Sequence, residues 1–380
     1  MLRRMLHKAK GVYMKRLGWH TDKHIVVIES DDWGSIRMPS KDVFLKLQAL
    51  GDTPEKDGFL ANDSLESATD LENLFAVLDS VRDSQNKPAI ITANFAMRNP
   101  KFECIDIERG KYVSECFTET YERYYHDGGH TLDVLYKGIA SGFFVPQLHC
   151  REHLNVDRWM SALREGRKDA ITAFQHEMIG IFASFSPENQ FGYMDELNMD
   201  SRSQIDDMRT VLSEAMQYFE TIFGYRSKTF VASCFVWNRD IENILHQCGV
   251  RGIQSGRLWQ LVSTYSKGTR KLKRALHYCG QRNANRQIYL VRNCEFEPAY
   301  SHNPQKCMET AYDQVVCAFE NRKPAVINSH RFNYISAVNS ENAKENLLAL
   351  KELLEKIVRT YPDVVFMSSD QLLTYIESKH

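Results

Sequence analysis

The 380-residue chain carries 48 basic and 49 acidic side chains, a formal charge of −1, with 43% hydrophobic and 26% charged residues. This is the composition of an ordinary globular protein, and the charge balance excludes a global field that would gather nucleic acid. No run nears the roughly 18 apolar residues of a membrane span, and the nine cysteines include no Cys-x-x-Cys pair, which leaves reduced thiols in a cytoplasmic protein as the reading.

Residues 1–23 form a basic segment without the apolar core of a signal peptide. Met1, Leu2, Met5, Leu6, Val12, Tyr13 and Leu17 fall on one face of a predicted helix, so the segment either docks on the domain or touches a membrane surface. From 24 to 380 short apolar runs alternate with amphipathic stretches. HIVVIES (24–30), PAIITANF (88–95), GFFVPQLH (142–149), SKTFVASCF (227–235), GVRGIQSG (249–256), IYLVRNCEF (288–296), PAVINSH (324–330) and DVVFMSS (363–369) read as strands. Their near-continuous Val, Ile and Phe content suits strands buried on both faces.

Helical patterns fill the gaps. Asp70 to Arg82 carries Leu71, Leu74, Phe75 and Leu78; Ile205 to Phe223 carries Met208, Leu212, Met216 and Phe219; Ser340 to Tyr361 carries Leu347, Leu350, Leu354 and Ile357. The alternation predicts an α/β fold, a complete or distorted (β/α) barrel of about seven parallel strands in a single domain. A basic stretch around 264–286 reads as a surface insertion.

In such folds reacting groups gather at the carboxyl ends of the strands. The first strand ends in Asp31-Asp32, and neighbouring carboxylates leaving a strand point in different directions and can do two jobs. Glu29, one residue before the pair, is expected to face elsewhere as a supporting group. The GFFVPQLHCREH run places His149 and His153 four apart just after a strand. Two imidazoles and a carboxylate suit a divalent ion such as zinc, with cobalt and nickel as alternatives, and leave positions for water. PAVINSH closes on His330, a candidate general acid or base with a pKa near neutrality. Asn94 and Arg331 stand at strand ends as candidate substrate contacts. Glu297 and His302, after a further strand, read as structural contacts.

These residues resemble the polysaccharide deacetylases of carbohydrate esterase family 4. Their Asp-Asp motif stands here as SDDWG, their His-x-x-x-His motif as HCREH, and their late histidine as INSH. The resemblance implies a distorted barrel and a metal held by Asp32, His149 and His153. It further implies Asp31 as base, His330 as acid, and an N-acetylated amino sugar or glycan as substrate. Trp33 displaces the first motif's glycine. The middle Arg-x-Pro motif, whose arginine orients the catalytic Asp, has only TFVASCFVWN in its place, without an arginine. Cys234 lies there as a substrate contact beside a backbone N–H expected among residues 233–235. Trp33 and Trp237 are candidate sugar platforms or core residues. Two other readings stay open: a glycan-binding pseudoenzyme, favoured by the missing arginine, and a His-x-x-Glu-His metallopeptidase, which would need that motif on a helix.

Overall fold

The structure is a computed structural model that describes residues 17–125, 127–256, 259–265, 272–301 and 303–379. The expected N-terminal helix lies largely outside the described residues, and residues 17–24 contain no helix. Of the basic insertion, the described part is an antiparallel hairpin of Trp259–Val262 with Lys273–Leu276 and the chain that follows it. Among the described residues no helix is long and apolar enough to cross a membrane.

All eight apolar stretches are strands of one sheet, IYLVRNCEF supplying two. In chain order these are β1 (Ile25–Trp33), β2 (Ile91–Ala96), β3 (Phe144–Cys150), β4 (Thr229–Val231), β5 (Gly252–Ser255), β6 (Ile288–Val291), β7 (Cys294–Glu295), β8 (Ala325–His330) and β9 (Val365–Phe366). The order is β6-β5-β4-β3-β2-β1-β8-β7, with β9 paired to the start of β1. Every pairing is parallel. β6 and β7 are successive parts of one stretch that changes partners, Arg292 N–H donating to Ser255 of β5 and Asn293 N–H to Val326 of β8, so the barrel is distorted where its two edges meet.

The helices α1 (Ala68–Asp79), α2 (Gly128–Ala140), α3 (Ile205–Phe223), α4 (Arg239–Gln247), α5 (Pro304–Glu320) and α6 (Ser340–Thr360) follow along the chain. Each covers the outside with an apolar stripe. In α3 the stripe is Leu212, Ala215, Met216 and Phe219, and Gly224 ends the helix in the left-handed conformation at φ 77°. α1 begins two residues before the expected start, because Ser67 caps it and exchanges side-chain and backbone hydrogen bonds with Asp70. Val26 and Ile28 of β1 join this outer core.

The other face of β1 points inward, and period-two alternation stacks the interior into layers. Ile25 and Val27 lie lowest, with Ile288, Leu290 and Val326 and the last helix, α7 (Ser369–Glu377), which plugs the barrel with Leu372, Leu373 and Ile376. Gly252 lines this plug because a side chain there would meet Leu373 at 3.1 Å. One step up the same strands, the residues become polar: Glu29, Thr92, Asn94 and Gln254 are buried and Asn328 is partly buried, with Arg292 just past the end of β6. Above these lie the strand ends.

Candidate functional site

Strict alternation would send Asp31 and Asp32 to opposite faces of the sheet. The β1–β2 register shifts between Ser30 and Trp33, and Asp32 adopts φ 75°. A bulge of this kind re-aims a side chain, and it brings both carboxylates to one cavity. A second shift, at the β2–β3 pairing, passes over His149, since Phe95 pairs with Leu148 and Ala96 with Cys150. His153 follows in a bend at φ 57°. The two histidines therefore converge through a strand end and a turn, and the helix required by the metallopeptidase reading is absent. Glu152 turns to Arg151 at 2.7 Å and does not line the cavity.

Asp32, His149 and His153 are buried, and one ligand atom from each lies within 4.8 Å of the others. The Nε2 atoms of His149 and His153 stand 3.4 and 3.3 Å from Asp32 Oδ1. That is longer than an ordinary charge-assisted hydrogen bond. It matches the separation of about 3.3–3.4 Å between ligands of a tetrahedral ion with bonds near 2.0–2.1 Å. His149 Nδ1 lies 2.9 Å from the Val231 carbonyl, which makes it the protonated nitrogen and leaves Nε2 a lone pair. Burial, then Arg37, pushes His153 well below the usual imidazole range. Burial would raise Asp32, but Arg37 and His153 hold it well below the usual carboxylate range. The donor set fits a divalent metal.

Asp31 is held differently. Asn94 Nδ2 donates to its Oδ1 at 2.7 Å, and Arg292 donates from Nη2 to Oδ1 and from Nη1 to Oδ2, both at 2.7 Å. Burial would raise this carboxyl, but the charge and hydrogen bonds of Arg292 bring it down to about 2. Arg292 Nε donates to Glu29 Oε2 at 2.6 Å, and Glu29 Oε1 accepts from Ser369 at 2.6 Å. Glu29 thus shares the face of Asp31, correcting the expectation that it points elsewhere.

The arginine that holds Asp31 comes from the end of β6 and not from the β4 region. A charged residue continuing the inward alternation Ile288, Leu290 was the available signal.

His330, in register with Asp31 across β1 and β8, places Nε2 3.9 Å from Asp31 Oδ2. Its Nδ1 lies 2.6 Å from Glu297 Oε1. Burial would lower its pKa, but Glu297 and the two aspartates raise it to about 9. Glu297, read from sequence as a structural contact, is the partner of the candidate acid.

No family model matches the sequence, and no curated protein does. Solved structures similar to the chain include a putative polysaccharide deacetylase from Mycobacterium smegmatis. It is 12% identical, with 96% of this chain and 94% of that one covered and a TM-score of 0.48. A family 4 carbohydrate esterase from Streptomyces lividans, in complex with acetate, is 9% identical over 90% of this chain and 91% of that one, TM-score 0.35. A CE4 family pseudoenzyme from Bacillus anthracis is 8% identical over 93% and 66%, TM-score 0.41. This is a distant relationship of fold.

The cavity over Asp32, His149 and His153 measures about 400 Å³ and is lined by Asp31, Asp32, His149, His153, Cys234 and His330. Four expected substrate contacts are elsewhere. Trp33 is 1% exposed, bonded through Nε1 to Ser30 at 3.0 Å and packed edge-on to Phe144. Trp237 is fully buried against Glu242 at 3.1 Å. Both are core residues because their indole N–H finds a partner inside. Asn94 is spent on Asp31 and Gln254. Arg331 is fully buried, donating to Asp63 at 2.9 Å and Glu66 at 2.7 Å. The aromatic walls come instead from Phe59, Phe185, Phe191 and Tyr300, which lie in none of the motifs, and from Phe235 in the TFVASCFVWN stretch. Cys234 and Phe235 both adopt φ 54°. The Phe235 N–H donates to Ala232 at 2.9 Å, which narrows the backbone donor expected at 233–235 to Ser233 and Cys234.

Proposed function

We propose that the chain is a metal-dependent amide hydrolase that removes the N-acetyl group of an amino sugar or glycan. The observation that carries this reading is the division of labour between adjacent carboxylates. Asp31 is oriented by Asn94 and Arg292 with one acceptor position of Oδ2 left free, while Asp32, beside Arg37, faces two imidazole nitrogens at 3.3–3.4 Å. Asp32, His149 and His153 would hold the metal, with Zn²⁺ favoured and Co²⁺ or Ni²⁺ accepted by the same donors. Such an ion, when bound, lowers the pKa of its water to about 7 and polarises a carbonyl.

The chain's own groups supply the proton movements. Asp31, ionised at any pH above about 2, accepts the proton of the attacking water at its carboxylate. Arg292 and Asn94 keep that carboxylate from rotating away. His330, raised to about 9, stays protonated at neutral pH and gives its Nε2 proton to the departing amine. Glu297 holds the ring at Nδ1. Two titratable groups pushed apart in this way leave a wide interval in which base and acid are both in the working state. Ser233 or Cys234 N–H is the candidate donor to the oxyanion.

The pseudoenzyme alternative drew on the missing motif arginine, and Arg292 supplies that contact. Metal analysis combined with acetate release from N-acetylhexosamines, with and without chelator, tests the proposal. Retained release after complete metal removal overturns it.

A further inference from the structure

The proposed chemistry leaves the size of the substrate open, and the walls of the cavity bear on it. We infer that the site is a well for one N-acylated unit, a free amino sugar or the end of a chain, and not a groove for the interior of a polymer. The inference rests on the deacetylase reading for its chemistry but on separate observations for its shape.

A polymer lying across the metal ligands needs openings on two opposite sides. Among the described residues, separate connections raise walls around the floor. Beside His330, Phe59 from the connection after β1 meets Tyr300 from the connection after β7, with ring centroids 5.4 Å apart and edge-on. Phe59 also packs edge-on to the His330 ring at 5.3 Å, so the gap between those connections is filled. Phe235, after β4, stands with its ring 5.3 Å from the Arg292 guanidinium. The long connection between β3 and β4 adds Phe185 and Phe191 to the lining, with Phe185 also bordering a small cavity shared with Asp57 and Phe59. The cavity volume of about 400 Å³ lies near the low end of the roughly 300–1,000 Å³ of small-ligand pockets.

The Phe185–Phe191 wall is a fixed part of the fold. Tyr193 beyond it is 3% exposed, and its carbonyl accepts from Asn155 N–H at 2.7 Å. Gly192 adopts φ +51°, and a side chain there would meet the Phe185 ring at 3.0 Å. The ring therefore lies directly on the backbone, and the wall closes the well without needing to move. Within that connection the stretch 185–201 has no helix or strand, and irregular chain that lines a site is a common carrier of specificity.

The test uses the metal-loaded full chain with N-acetylglucosamine and its linear β-1,4 pentamer. Fragment mass spectrometry locates the freed amines, and calorimetry measures binding of both sugars to the Asp31→Asn protein. The well predicts a free amine only at one end unit of the pentamer and a pentamer affinity within about threefold of the monosaccharide's. The double variant Phe185→Ala, Phe191→Ala is expected to raise internal deacetylation at least about fivefold with unchanged metal content. Amines at internal units in the wild type, or affinity that climbs with each added unit, overturn the well and leave the deacetylase reading standing. Binding at one unit without any acetate release keeps the well and overturns the deacetylase reading. Absence of both binding and release with either sugar overturns both.

Discussion

The two halves of the strand-end cluster differ in how their oxygens are used. Around Asp31 acceptor positions are filled by Asn94 and the Arg292 fork, and the layer beneath, with Glu29 and Ser369, is bonded as well. Around Asp32, Arg37 Nη2 donates to Oδ1 at 3.2 Å, and the other two neighbours of that oxygen are imidazoles. Two imidazole nitrogens stand at 3.3–3.4 Å from one oxygen, too far for a strong bond and placed for a shared ion. A buried network of ionised groups is tolerated only when satisfied. The first half is bonded within the protein, and in the second the proposed ion would join Asp32 to the two imidazoles.

The largest effects separate these halves. His149→Ala is expected to abolish metal retention and with it turnover; unchanged metal stoichiometry by elemental analysis removes the ligand assignment. Asp31→Asn should keep the metal yet slow kcat by about 10²–10⁴-fold, the usual worth of a general base. Undiminished turnover sinks its role.

Arg292 sharpens the contrast. Arg292→Met strands Glu29 and Asp31 as buried carboxylates and is expected to cost about 3–5 kcal/mol in denaturant unfolding. Arg292→Lys keeps the charge without the fork and should lower kcat by more than about tenfold with metal intact. Equal kcat for the lysine variant shows that orientation of Asp31 by a guanidinium is dispensable.

A smaller effect is in the pH response. With His330 raised to about 9 by Glu297, kcat/KM should hold on the alkaline side until near pH 9. Glu297→Gln is expected to move the falling limb down by about one unit or more. In the metal-free protein the same shift stabilises the fold fully below the unfolded value of 6.5, and the contribution is lost as pH rises to about 9. Thermal unfolding that does not weaken across that window argues against the His330–Glu297 contact. Smallest is Trp33→Phe, which removes the bond to Ser30. About 1 kcal/mol of stability should go, with kcat unchanged; a large kcat loss returns Trp33 to the substrate site.

Sequence alone determined the strands, because each is a short apolar run buried on both faces, and the strand-end residues Asp31, Asp32, His149, His153 and His330, because each stops such a run with a polar group. It did not determine which residues would surround them. Arg292 lies 261 positions from Asp31, and its inward aim follows from where β6 sits in the sheet. Trp33 and Trp237 looked like platforms since composition cannot tell an indole with an internal partner from an exposed one. Phe59, Phe185 and Phe191 stand on connections whose course no periodicity records. The bulge at Asp32 was equally hidden, since a one-residue change of register depends on pairing with β2. Local pattern specifies what a strand is; only its neighbours decide which way its last side chains face.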